Sequence, residues 1–218
     1  SDWTIAEFVD AARKTTDKSK KRFGVSLAWT EPYVAWMRMY GCELSNDDSA
    51  ATEYTYNGPG CAEGLKTLDD LSREGVMNWE PGAKFGGLSD ADSAGEQNFS
   101  AGNVAMLISG TWEAPAIIAN SAGAFEWDAV SVPVEGNGKI QGAASGFGVS
   151  ASSQNKAWAW EYVKFLTDIE GQKRDAIAGY NSSPISVVLD DVYCKTDQLP
   201  LSKCEITKIG NAHIALEP

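Results

Sequence analysis

Phe99-Ser100-Ala101-Gly102-Asn103-Val104-Ala105-Met106-Leu107-Ile108-Ser109-Gly110-Thr111-Trp112-Glu113 is the stretch on which the reading of the fold turns. The apolar run Val104 to Ile108 predicts a buried strand that begins at Asn103. A helix is expected before it, ending at Gly102. Ser109 to Glu113 reads as a strand-to-helix turn, followed by an Ala/Ile-rich helix to about Asn120. Helix, strand and helix in that order set an α/β class.

Upstream, Thr4-Ile5-Ala6-Glu7 has the spacing of a capping box, with Phe8, Val9 and Ala12 on one face of a helix running to about Thr15. Lys18 to Arg22 is a solvated turn, and Phe23-Gly24-Val25-Ser26-Leu27 alternates at strand period, delivering Trp29 to a loop. Glu31-Pro32 starts a helix, because proline lacks the amide that a first turn leaves unpaired, and Gly41 ends it. A short hairpin is expected between residues 42 and 56, which turns Cys61 towards Cys42. Leu65, Leu68 and Leu71 form one stripe of a helix stopping near Gly75, and a Gly/Pro/Asp-rich loop covers residues 80–92.

Downstream, strands are expected over Trp127 to Val132 and Gly146 to Ser150, with a glycine-punctuated crossing over residues 133–145 between them. Asn155 to Thr167 is a strong helix, on which Trp158 and Trp160 fall on opposite sides, so one should pack while the other is partly exposed. Beyond Ser186 the pattern is weak.

The composition excludes several classes. Forty-three per cent hydrophobic and 22% charged residues in 218 fit a globular chain of one or two domains. Eighteen basic against thirty acidic residues leave a net charge of -12 with no basic patch, which disfavours nucleic acid. No apolar run approaches the ~20 residues that span a bilayer. The opening Ser1-Asp2-Trp3 carries no secretory signal, as expected of a mature or truncated chain.

Four cysteines fall into two local pairs, Cys42 with Cys61 and Cys194 with Cys204, without Cys-x-x-Cys spacing and with a single histidine, His213. Thiolate metal binding is disfavoured, and no cofactor or metal is expected. Two disulfides would suit an oxidising compartment; four reduced thiols in a cytosolic protein is the alternative that the sequence leaves open. Asn46-Asp47-Asp48 reads as a turn, since calcium would need further oxygens, ~6–8 in all.

Trp3-Thr4-Ile5-Ala6-Glu7-Phe8, Trp29-Thr30-Glu31-Pro32-Tyr33-Val34-Ala35-Trp36, the opening stretch from Phe99, Trp127-Asp128-Ala129-Val130, Ser145-Gly146-Phe147-Gly148 and Ser152 to Ala157 occur in an order that resembles one family. It is the bacterial extracellular solute-binding proteins of sugar ABC transporters (family 1), and the Glu-Pro-Tyr grouping is most similar to their maltose-binding members. The resemblance covers the chain to about Pro184 and implies a middle segment of a longer protein. It implies the type II periplasmic-binding-protein-like α/β fold. Residues 1–132 would be the second lobe, 133–145 the hinge crossing, and 146–218 a segment returning to the first lobe.

By the same resemblance the protein would be a non-enzymatic, extracytoplasmic receptor, periplasmic or a cell-surface lipoprotein. It would be monomeric, closing its lobes on a carbohydrate and handing it to a membrane permease of an ABC importer. A pyranose needs flat rings under its C–H face and fixed polar groups at its hydroxyl edge. Trp29, Glu31, Tyr33 and Trp112 supply both on two loops at strand ends, where clefts of open α/β sheets lie. Glu31 would accept from sugar hydroxyls, Tyr33 would stack or hydrogen-bond, and Trp112 would be the main platform, with Phe147 a fifth candidate. For Trp36 packing is preferred. The competing classes are a glycoside-acting enzyme and a noncatalytic protein-interaction module. No Gly-x-Ser-x-Gly elbow, Walker loop or zinc motif is present to favour an enzyme.

Overall fold

The structure, a computed structural model, describes residues 3–27, 31–46, 50–77, 94–136, 138–142, 146–178, 186–195 and 200–216. Helix α1, Ile5–Thr15, begins at the capping box read from the sequence. The Glu7 amide donates to Thr4 Oγ1 at 3.2 Å, and the Thr4 amide donates to the Glu7 carboxylate at 2.8 Å. Its inner face of Ile5, Phe8, Val9 and Ala12 is buried. The solvated turn is a short 3-10 helix, Lys18–Lys20, capped by the Asp17 carboxylate. Bonds from Ser19 and Lys20, outweighing desolvation, hold that carboxyl down at about 2.

Strand β1, Phe23–Leu27, pairs in parallel with β2, Val104–Ile108, in the register Phe23↔Val104, Val25↔Met106 and Leu27↔Ile108. On its other edge a single parallel bridge joins Val25 to Met77. Between the strands lie α2, Glu31–Met39, α3, Pro59–Arg73, and α4, Ala94–Ser100. Trp36 is the keystone of this packing: it is fully buried, its indole N–H donates to Gly64 O at 2.8 Å, and its ring meets Phe8 edge-on. The core takes in α1, β1, α2, α3, Val76, Met77 and Ile108.

Cys42 and Cys61 form a disulfide, which fastens the chain after α2 to the first turn of α3; Cys194 and Cys204 form a second. The reduced-thiol alternative is thereby excluded. Gly75, at φ 66, lets the chain reverse after α3 into the strand position at Met77, a left-handed turn that a Cβ would strain.

Several expectations are corrected. The hairpin over 42–56 is one antiparallel bridge, Ser45↔Tyr54, flanked by Thr55 N–H to Leu44 O at 3.0 Å, too short a pairing to be strands. Leu65 is exposed while Leu68 and Leu71 are buried, so the α3 stripe is narrower than its leucines suggest. Strand β2 is buried only at its ends. Residues 127–132 and 146–150 form no strand, because neither run has a ladder partner among the described residues. The loop over 80–92 and Asp47-Asp48 lie outside the described residues.

After β2 a short 3-10 turn, Thr111–Glu113, leads into α5, Ala114–Ser121. The crossing over residues 133–145 packs on the end of α2, where Glu135 N–H donates to Met39 O at 3.0 Å and Lys139 N–H to Arg38 O at 3.1 Å. It then forms β3, Ile140–Gly142, parallel to β4, Ile214–Leu216. Helices α6, Lys156–Thr167, and α7, Ile169–Ala178, follow. The segment beyond Ser186 is more ordered than its pattern suggested. It holds α8, Ser186–Asp191, and α9, Lys203–His213, around a small core of Ala176, Val188, Leu189 and Tyr193. Disulfide closure and contacts distant in sequence organise it, and neither shows in hydrophobic period.

Candidate functional site

Leu27 and Ile108 stand side by side in the parallel pair, so the chain leaves β1 and β2 at the same end of the sheet. From β1 it passes to α2, which begins at Glu31 and carries Tyr33; from β2 it passes through Ser109 and Gly110 to Trp112. The strand ends that precede the two loops singled out in the sequence therefore lie side by side. Trp29 lies outside the described residues, and so does the Glu31 side chain, although the Glu31 backbone begins α2.

Tyr33 is half-buried against the main core, and burial, with Tyr56 nearby, pushes its phenol pKa up. A neutral hydroxyl is what a sugar-facing tyrosine offers, able to donate and to accept. Tyr56 and Tyr54 are exposed and 5.9 Å apart between ring centroids, on the segment that pairs back to Ser45. Sequence reasoning passed over this pair as hairpin alternation. Its signal was two tyrosines at strand spacing on a stretch with no apolar face of its own.

Trp112 is half-buried in its 3-10 turn, and its six-membered ring folds back over Gly110, occupying the space where a Cβ at that position would stand. Glycine is required there because the ring lies on the backbone. Phe147 is 59% exposed on an extended run that belongs to neither sheet, and no described contact joins it to the rim. Trp36, by contrast, packs, as preferred from the sequence. Among the described residues no helix is long and apolar enough to cross a membrane.

Comparison with known proteins gives the arrangement its class. The chain belongs to the family of bacterial extracellular solute-binding proteins, whose sequence profile matches residues 1–200. Among solved structures it is similar to an ABC substrate-binding protein from Listeria monocytogenes in complex with cycloalternan, with 26% identity and a TM-score of 0.77, covering 100% of this chain and 54% of that one. A solute-binding protein from Thermotoga lettingae bound with alpha-D-tagatose is 22% identical, with a TM-score of 0.71 and coverage of 97% and 53%. The Thermus thermophilus maltotriose-binding protein is 18% identical, with a TM-score of 0.69 and coverage of 99% and 55%. The fold is that of the type II periplasmic solute-binding proteins, and the chain spans about half the length of these relatives. No curated protein matches the sequence.

Proposed function

We propose that the protein is a carbohydrate receptor that delivers a mono- or oligosaccharide to an ABC importer by lobe closure, without catalysis. The observation that supports the reading is that β1 and β2 end side by side, at Leu27 and Ile108, each followed in the chain by one of the ring-bearing segments, with Tyr33 after β1 and Trp112 after β2. The solved relatives in complex with cycloalternan, tagatose and maltotriose support the ligand class. In this reading Trp112 is the stacking platform, Trp29 and Tyr33 add rings, and Glu31 accepts from hydroxyls. A charged acceptor makes each such bond worth about 1.5–3 kcal/mol. Phe147 would complete the cleft from the segment of residues 146–218 that returns to the first lobe, across a hinge at 133–145 from the second lobe of residues 1–132. Sugar bridging both lobes favours the closed state, and a membrane permease reads that shape. The receptor works as a monomer outside the cytoplasm, in the periplasm or anchored at the cell surface.

Calorimetry on the full-length protein with cycloalternan, tagatose and maltotriose tests this. Saturable binding is expected without product release, and Trp112→Ala should weaken it at least about tenfold while the unfolding midpoint holds. Unchanged affinity in the variant rules out the platform role, and release of reducing ends overturns the receptor reading in favour of a glycoside-acting enzyme.

A further inference from the structure

Residues 50–56 are exposed for most of their length, yet their backbone is closely held. Asn46 Oδ1 accepts from the Thr52 and Glu53 amides at 3.0 and 3.1 Å, and the Asn46 amide donates back to Glu53 O at 3.1 Å. Thr55 fastens the other end, its amide donating to Leu44 O at 3.0 Å and its hydroxyl to Glu43 O at 2.6 Å. Leu44 and Ser45 behind it are buried, and the buried Cys42–Cys61 disulfide closes the loop that contains the whole segment.

What this held segment presents to water is aromatic. Thr55 is half-buried, so Tyr54 and Tyr56 fall together on the outer face by the alternation of an extended chain. They are 81% and 50% exposed, with ring centroids 5.9 Å apart and planes 32° from each other. Neither ring packs into the core among the described residues. Tyr56 is near enough to Tyr33 to act on its phenol, so the pair is a neighbour of the candidate site.

We propose that Tyr54 and Tyr56 form an outlying subsite, which holds the far end of an oligosaccharide whose near end lies at Tyr33. The proposal rests on the carbohydrate reading and deepens it, from a saccharide in general to a chain of several sugar rings. Three properties of the pair choose this ligand. A tyrosine offers a flat apolar face to the C–H side of a pyranose and a hydroxyl that donates and accepts at its edge. Rings with few rotatable bonds, on a backbone held at Asn46 and Thr55, lose little freedom when a ligand settles on them. The only charged residue in the run 50–56 is Glu53, which disfavours an anion and leaves a neutral ligand.

Calorimetry on the full-length protein with maltose, maltotriose and maltohexaose tests it in wild type, Tyr54→Ala/Tyr56→Ala and Trp112→Ala. The double alanine variant is expected to weaken maltohexaose about tenfold, to leave maltose within about twofold, and to keep its unfolding midpoint because both rings are exposed. Tyr54→Phe/Tyr56→Phe, which keeps the rings, should retain most of the maltohexaose affinity. Unchanged maltohexaose affinity in the double alanine variant, with Trp112→Ala weakening all three sugars, overturns the subsite while the receptor reading stands, and leaves the pair to a protein partner. Equal weakening of maltose and maltohexaose also overturns it, since the pair would then act on the near end of the ligand. Wild type that binds none of the three sugars overturns the subsite together with the reading on which it rests.

Discussion

Trp36 and Trp158 both sit on helices whose apolar residues recur at helical spacing, yet the first is fully buried and the second is 78% exposed. The contrast extends to their surroundings. Around Trp36, helices α1, α2 and α3 and strand β1 close on one another within residues 5–77, and a disulfide fastens the closure. Around Trp158, helix α6 has no buried residue at all, and Trp160, Tyr162 and Phe165 are exposed with it, as is Ile177 on α7. Sequence reasoning expected one of the two tryptophans of α6 to pack. Apolar spacing marks a face that wants cover; whether cover exists is decided by what else is present. The polar residues of α6, among them the ion pair Lys164–Glu161, leave its four rings exposed among the described residues.

The comparison breaks first at Trp36. Trp36→Ala empties a closed site and strands Gly64 O, so a loss of about 3–5 kcal/mol is expected in denaturant unfolding. A loss under about 1 kcal/mol would mean that the first region is as open as the second. Next comes the Cys42–Cys61 disulfide, whose ends are 19 residues apart in sequence. Replacing both cysteines with alanine should cost about 3 kcal/mol, read from the shift in urea midpoint at unchanged slope.

Thr4→Ala removes the cap of α1 and should cost about 1 kcal/mol at neutral pH. The Thr4 amide and then its hydroxyl hold the Glu7 carboxyl below its usual range. Folding lowers that pKa, so the ionised form favours the native state. The contribution is whole above the unfolded value near 4.5 and fades as pH falls through the lowered native value. Urea melts of wild type and Thr4→Ala between pH 7 and 3 should therefore converge in the acid range. The smallest effect belongs to the second region. In the 218-residue chain Trp158→Ala should change stability by less than about 0.5 kcal/mol, and Trp158 fluorescence should be open to acrylamide quenching. A shielded, costly Trp158 would erase the contrast.

Legibility differed along the chain for a physical reason. The capping box of α1, the alternation of β1, the Glu31-Pro32 helix start and the run of β2 were readable because each is governed by neighbours within a few residues. The two strands expected at 127–132 and 146–150 have strand-like residues but no ladder among the described residues, because a ladder needs a second strand that their own sequence does not supply. The helices after Ser186 were missed because their order rests on the Cys194–Cys204 closure and on contacts with α7. For the candidate site, the sequence named two ring-bearing loops, of which the one carrying Trp29 lies outside the described residues, and it did not single out the exposed Tyr54–Tyr56 pair.

By itself the sequence determined the α/β class, the cap, the cysteine pairs and the family likeness, since these depend on local spacing and residue chemistry. Only the tertiary structure decided that β1 and β2 end side by side, that the Trp112 ring lies on Gly110, and that Trp36 closes on Gly64 and Phe8. Such facts concern residues distant in the chain, and their free energy comes from partners that no local pattern names.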